Sequence, residues 1–187
     1  MSTIATTNIK HASSSSNNIV LNSDGTSYMS GHIIQVVNTL KQGTSTMNLG
    51  SQESGWHDIP GMSVSITPKS TSSKIHIQTI LRGRATNEYV GILLVRDSTS
   101  ILIGNSATGN RTNLSGRMDI GSNYHQTREQ VCIGVDSPST TSQITYKLQA
   151  QNFHQSQYFY LNTPSEQDNN GYTFHLCSTM TVMEIAG

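Results

Sequence analysis

The stretch CSTMTVMEIA, residues 177–186, decides how the rest of the sequence is read. Side chains alternate along a strand, so Thr181, Met183 and Ile185 fall on one side of it and Met180 and Val182 on the other. Apolar residues on both sides require cover on both, which makes an exposed sheet edge a poor place for this segment. It is either the central strand of a sheet in a sandwich or a strand on the axis of a symmetric oligomer. Met180 and Val182 are accordingly expected at a trimer interface. Tyr158 and Tyr160 are expected there too, because they share one face of QYFYL (157–161) with Phe159 and Leu161 opposite.

Working outward, the segments just before it are also strand-like: VCIGV (131–135), QITYKLQAQ (143–151) and YTFHL (172–176). Further upstream, KIHIQTILR (74–82) is the cleanest alternation, with Ile75, Ile77, Thr79 and Leu81 on one face and Lys74, His76, Gln78 and Arg82 opposite. EYVGILLVRD (88–97) is apolar on both faces and predicts a central strand, turned by Asp97 to Ser100 into a hairpin with Ile101, Leu102 and Ile103. Met62, Val64 and Ile66 alternate with serine and threonine as a half-buried strand. HIIQVVNTL (32–40) is another two-sided run whose β-branched density favours a strand. Residues 41–61 are expected as a polar loop containing Trp56, marked by Gly55, Pro60 and Gly61. Residues 104–130 predict long loops with one short strand near Met118. Roughly eight or nine strands at spacings near ten residues, with no amphipathic helix, predict an all-β, jelly-roll-like antiparallel β-sandwich.

Residues 1–30 form a separate unit, ahead of a head at residues 31–187. A polar run from Ser13 to Asn18 lies between short β segments that contain Ile4, Ile9, Ile19 and Leu21, and the turn signal Asn22 to Gly25 follows. So small a piece cannot build its own core, so it is expected to dock against copies of itself or against a partner through those four residues.

Composition narrows the function. Of the 187 residues only 12% are charged and 34% hydrophobic, while Ser, Thr, Asn, Gln and Gly fill the difference. About 25% charge is ordinary for a globular protein. A polar but non-ionic, β-rich chain fits an extracellular or virion protein better than a cytosolic enzyme. Net charge is zero, so nothing draws a polyanion from a distance and no nucleic-acid partner is expected. No segment approaches ~18 consecutive apolar residues, so no membrane insertion is expected. The start, MSTIATTNIKHASSSSNN, has no apolar leader, and synthesis in a cytoplasm is expected. The two cysteines, Cys132 and Cys177, sit in apolar strand patterns and are expected as buried free thiols, with a disulfide between them as the alternative.

A search for chemistry finds no nucleophile elbow, HExxH, CxxC or phosphate loop, so no catalytic residue, metal site or cofactor is expected. The seven histidines lack metal-ligand spacing. His57 and Asp58 are adjacent and would point to opposite faces of a strand, and residues 166–171 read as a solvated turn. Trp56 and Tyr124, aromatic residues in polar loops, are the candidates for contact with a receptor such as a host surface glycan.

Five stretches carry a family resemblance. IKHASSSSNNIVLNSDGTSYM (9–29) resembles a segment of structural proteins of marine bacteriophages, the tail fibres of cyanophages and pelagiphages, where it precedes a distal head. SITPKSTSSKIHIQ (65–78), GILLVRDSTS (91–100), and STTSQITYKLQAQ (139–151) with STMTVMEIAG (178–187) look like the repeated ending of such fibre and appendage proteins. The resemblance implies a non-enzymatic, homotrimeric virion protein involved in host attachment, joined to other phage virion proteins through its N-terminal segment. Fibres of that kind are often much longer, so a capsid decoration (cement) protein is the alternative, and a carbohydrate-binding module is a third reading from another class.

Overall fold

A computed structural model describes residues 6–15, 17–21, 23, 27–51, 55–86, 89–105, 109, 111–119, 126–153, 156–164, 171 and 173–187. Every regular element among them is a β-strand, and every pairing is antiparallel. The N-terminal segment contributes β1 (Asn8–Ile9), β2 (Ile19–Leu21) and β3 (Ser27–Tyr28), which form a small sheet in the order β1-β2-β3. Then follow β4 (Ile33–Lys41), β5 (Ser45–Asn48), β6 (His57–Ile66), β7 (Lys74–Ala85), β8 (Tyr89–Arg96) and β9 (Thr99–Ile101). The remaining strands are β10 (Gly116–Asp119), β11 (Arg128–Asp136), β12 (Ile144–Asn152), β13 (Tyr158–Leu161) and β14 (Ser178–Ile185).

Several short strands continue one another. Along one edge of β7, β14 pairs with residues 74–80 and β13 with residues 83–85, while β5 extends β4 on their far side. Likewise β9 and β10 share one edge of β8. Counted as rows in chain order, the described residues of the sandwich form eight: β4 with β5, β6, β7, β8, β9 with β10, β11, β12, and β13 with β14. One sheet runs in row order 1-8-3-6 and the other 2-7-4-5. Row 1 pairs with 8, 2 with 7, 3 with 6 and 4 with 5, as if one long hairpin had been rolled up into two layers.

One apolar cluster fills the space between the layers. Ile75, Ile77, Thr79 and Leu81 point into it as the alternation predicts, and so do Ile92, Leu94, Tyr146 and Leu148. The closing strand β14 is central, between β4 and β7, and its inward side consists of Met180, Val182 and Glu184, all fully buried. The expectation that Met180 and Val182 meet a neighbouring subunit is thereby corrected. They are sealed by the second layer of their own chain and have no surface left to offer.

Glu184 is the unexpected member of that row. Its carboxylate accepts the Lys69 backbone N–H at 2.6 Å and the Gln35 side-chain amide at 2.5 Å, which compensates a buried charge and fastens the β6–β7 loop. A second polar tie joins the layers. The Arg96 guanidinium lies 2.7 Å from Asp136, and the Tyr146 hydroxyl donates to the same carboxylate at 2.8 Å. Burial, and then the neighbouring Asp136, push the Tyr146 phenol well above its usual range.

Two further expectations change. Pro60 and Gly61 do not mark a loop, because β6 runs through them with a register shift opposite Lys147 and Gln149. β6 is the edge strand of its sheet, where a proline without an N–H is tolerated, and Gly61 takes a positive φ of 74° that suits a bulge. Both cysteines are free thiols; Cys132 is buried, with its thiol pushed up chiefly by that burial, whereas Cys177 is only half-buried.

Candidate functional site

The outward side of the 1-8-3-6 sheet carries the largest departure from an ordinary protein surface. Strand register aligns its residues in rows across β4, β14, β7 and β11. Leu40, Thr179, Ile80 and Val131 form one row; Asn38, Thr181, Gln78 and Ile133 the next; Val36, Met183, His76 and Val135 the third. Ile33 and Ile185 extend the face downward after a bulge in β4, and Lys74 ends it. The exposure is uneven. On β4, Ile33, Val36 and Leu40 are 51, 55 and 52% exposed, and on β11, Val131, Ile133 and Val135 are 40, 58 and 48% exposed. The two middle strands contribute half-buried Thr179, Thr181, Met183 and Ile185, and His76, Gln78 and Ile80.

Both edge strands of the sheet thus turn their apolar residues to the outside, an arrangement that a stable monomer ordinarily blunts with charge or proline. Charges stand only at the two ends. Lys74 lies at the bottom, and at the top the Arg82 guanidinium pairs with Glu129 at 2.7 Å and donates to the Cys177 carbonyl at 2.8 Å. Beside that pair lies an open hollow of about 420 Å³ lined by Gln42, Arg82, His175, Leu176 and Cys177. At ~4.8 Å between strands and ~3.3 Å per residue, four strands and about seven residues span a face on the order of 400 Å². The largest apolar patch on a typical monomer is about 300–600 Å² and is often functional, and here a face of that size is apolar along both sides with Asn38, Thr179, Thr181, Gln78 and His76 interspersed.

No protein-family model matches this sequence, and no curated protein matches it.

Tyr158 and Tyr160 lie on the same outer side of this sheet, on β13, the first exposed and the second half-buried, with Phe159 and Leu161 in the core beneath them. Val36, Leu40, Ile133 and Val135 are the residues the sequence reading missed. Their signal was present, since HIIQVVNTL reads as apolar on both faces and VCIGV carries apolar residues at alternate positions.

The sandwich has two distinct poles. At one, the chain enters from the β1-β2-β3 sheet, the Gly31 N–H donates to the Ala186 carbonyl at 2.8 Å, and the Ala186 N–H donates to the His32 carbonyl at 2.9 Å. At the other lies Trp56. Half-buried, it sets its ring edge-on to Phe153 with centroids 6.0 Å apart; Phe153 in turn stacks on Tyr89 at 6.3 Å, and the Arg117 guanidinium covers Tyr89 at 4.5 Å. Trp56 is therefore engaged in an aromatic cluster, where the sequence suggested a ring free in a loop. Ile9 and Leu21 are exposed on the small N-terminal sheet and Ile19 is half-buried there. Ile4 and Tyr124 lie outside the described residues.

Asp58 and His57 sit on strand β6 and separate as adjacent strand residues must. Asp58 accepts from Lys147 at 2.9 Å and from Gln149 at 2.7 Å on the outer side of the 2-7-4-5 sheet. The Lys147 hydrogen bond, followed by that of Gln149, holds the Asp58 carboxyl below its ordinary value. Among the described residues no three His, Cys, Asp or Glu side chains are grouped so as to hold a metal ion.

Proposed function

We propose that this chain is a non-enzymatic structural protein of a bacteriophage virion, a short homotrimeric tail fibre or appendage that takes part in host attachment. The virion assignment rests on the resemblance of residues 9–29, 65–78, 91–100, 139–151 and 178–187 to phage fibre proteins, and one structural observation supports the homotrimer: the apolar outer face of the sheet that holds β14. Completing the burial of a half-exposed Val, Leu or Ile contributes ~0.8–1.5 kcal/mol, half the value for a whole side chain. Six such residues supply about 5–9 kcal/mol per subunit, within the ~4–15 kcal/mol that association costs in lost freedom of motion. The row order 1-8-3-6 over 2-7-4-5 supports the more specific description of the head as a jelly roll, in which two Greek keys roll up together.

The poles fit the same assignment. Residues 1–30, joined at one pole, attach the head to the particle, and the pole with Trp56, Phe153 and Tyr89 faces outward, where a host glycan is the expected contact. Light scattering on the purified protein tests the central point. A mass three times that of the chain is expected, falling to that of a single chain in Ile133→Asp with the sandwich still folded. A wild-type protein that stays a single subunit at tens of micromolar would remove the physical support for the assignment.

A further inference from the structure

The apolar residues of the outer face are not spread evenly. They concentrate in two columns, Ile33, Val36 and Leu40 on β4 and Val131, Ile133 and Val135 on β11, which are the two edges of the face. Asn38 is the one polar member of the β4 column, whereas the columns of β14 and β7 are more evenly mixed, with Thr179, Thr181, Gln78 and His76 among Met183, Ile185 and Ile80. A face meant to pack flat against its own copy would hold its strongest apolar residues at the centre and its polar ones at the rim. Here the order is reversed. Two separated apolar columns are what a head-to-tail ring requires, because each subunit then presents two different surfaces, one to each neighbour.

Strand spacing selects the number of copies. Four strands at ~4.8 Å make a side about 14–19 Å wide. Three such sides set around an axis as a triangular prism leave each sheet about 4–6 Å from the axis, which is half the ~10 Å at which sheets pack face to face. Side chains of ordinary length then meet at the centre. Four sides would put each sheet about 7–10 Å from the axis and leave a channel that Met183, Gln78 and Thr181 do not span.

We propose that three copies of the chain stand with their 1-8-3-6 sheets around a threefold axis, so that the β4 column of each subunit packs against the β11 column of the next. The β14 and β7 columns, including His76, line the axis. This deepens the homotrimer reading above and rests on it: it names the two halves of each contact. Val36 and Val135 stand in one cross-strand row, separated in their own subunit by Met183 and His76, and they come together only at the corner between subunits.

Cysteine cross-linking tests this in the full chain with Cys177→Ser, which removes the half-buried thiol. Val36→Cys and Val135→Cys are made singly and together and oxidised with copper phenanthroline at dilute protein, and the native mass is measured in parallel. The double variant is expected to give a covalent trimer as its largest species on a non-reducing gel, while each single variant gives none. Covalent dimers as the final product of the double variant, or a Val36→Cys variant that links to itself, would show a twofold contact and overturn the proposal. A native trimer in which no pair links would overturn the corner placement alone and leave the trimeric virion protein standing. A native single subunit would overturn both.

Discussion

Replacing Val182 by alanine removes two methyl groups from the middle of the closing strand, at a position with no exposure, in register with Val37 on β4 and Ile77 on β7. The transfer cost is ~0.8 kcal/mol per group, and the cavity left between two layers that cannot collapse adds to it, for about 2 kcal/mol in all. In a domain of this size each kcal/mol moves the melting temperature by ~2–4 °C, so a fall of about 4–8 °C is expected. Val182→Asp adds a carboxylate with no partner in reach, a penalty of several kcal/mol, and the sum becomes comparable to the ~5–15 kcal/mol that holds a whole domain together. That variant is expected to be unfolded. The assay is thermal and urea unfolding followed by circular dichroism at one fixed protein concentration, because any association of subunits would make the midpoint depend on concentration. A soluble, folded Val182→Asp protein melting within a degree or two of wild type would refute the placement of β14 at the centre of the sheet.

Glu184→Gln should cost about 1–3 kcal/mol, because an amide NH₂ cannot accept from both the Lys69 N–H and Gln35 as the carboxylate does; urea midpoints against wild type measure it. Asp58 has a folded-state value below the ordinary 3.8, so its contribution is complete above that pH and fades as pH falls through the lowered folded value. A carboxyl-carbon NMR titration should place Asp58 below 3.8, and Lys147→Met should bring it back up; a midpoint indifferent to that change would show the hydrogen bond to be absent in solution. Deleting residues 2–30 removes a sheet that pairs only with itself among the described strands, so the truncated head should melt within a few degrees of the full chain. It should also fail to join particles in an incorporation assay, and its retention on virions would refute the docking role.

Alternation made much of the sandwich readable. The inward set Ile75, Ile77, Thr79 and Leu81 and the β8–β9 hairpin at Asp97 follow directly from a period of two and a turn signal. The same rule could not say which of two apolar faces meets the chain's own second layer. That is why Met180 and Val182 were expected at an interface, whereas the outward side of the sheet is formed by their neighbours in sequence and by Val36 and Ile133. Long-range polar ties were hidden for a related reason. Glu184 answers to Lys69 and Gln35, and Arg96 to Asp136, across separations of 115, 149 and 40 residues, where no local pattern extends. Pro60 and Gly61 misled because the punctuation of a loop and of an edge-strand bulge is written in the same residues.

The pairing of first row with last has a bearing on how the molecule is made. β4 and β7 each lack a neighbour until residues 178–185 are present to lie between them, so no shorter N-terminal portion of the sequence closes the layer. Contacts that distant in sequence must wait for most of the chain to be ordered, which makes assembly of the sandwich slow and leaves two greasy edges uncovered meanwhile. Until β14 is in place, the facing edges of β4 and β7 stay open to whatever lies near them, so the layer closes only once a strand from far along the sequence has arrived.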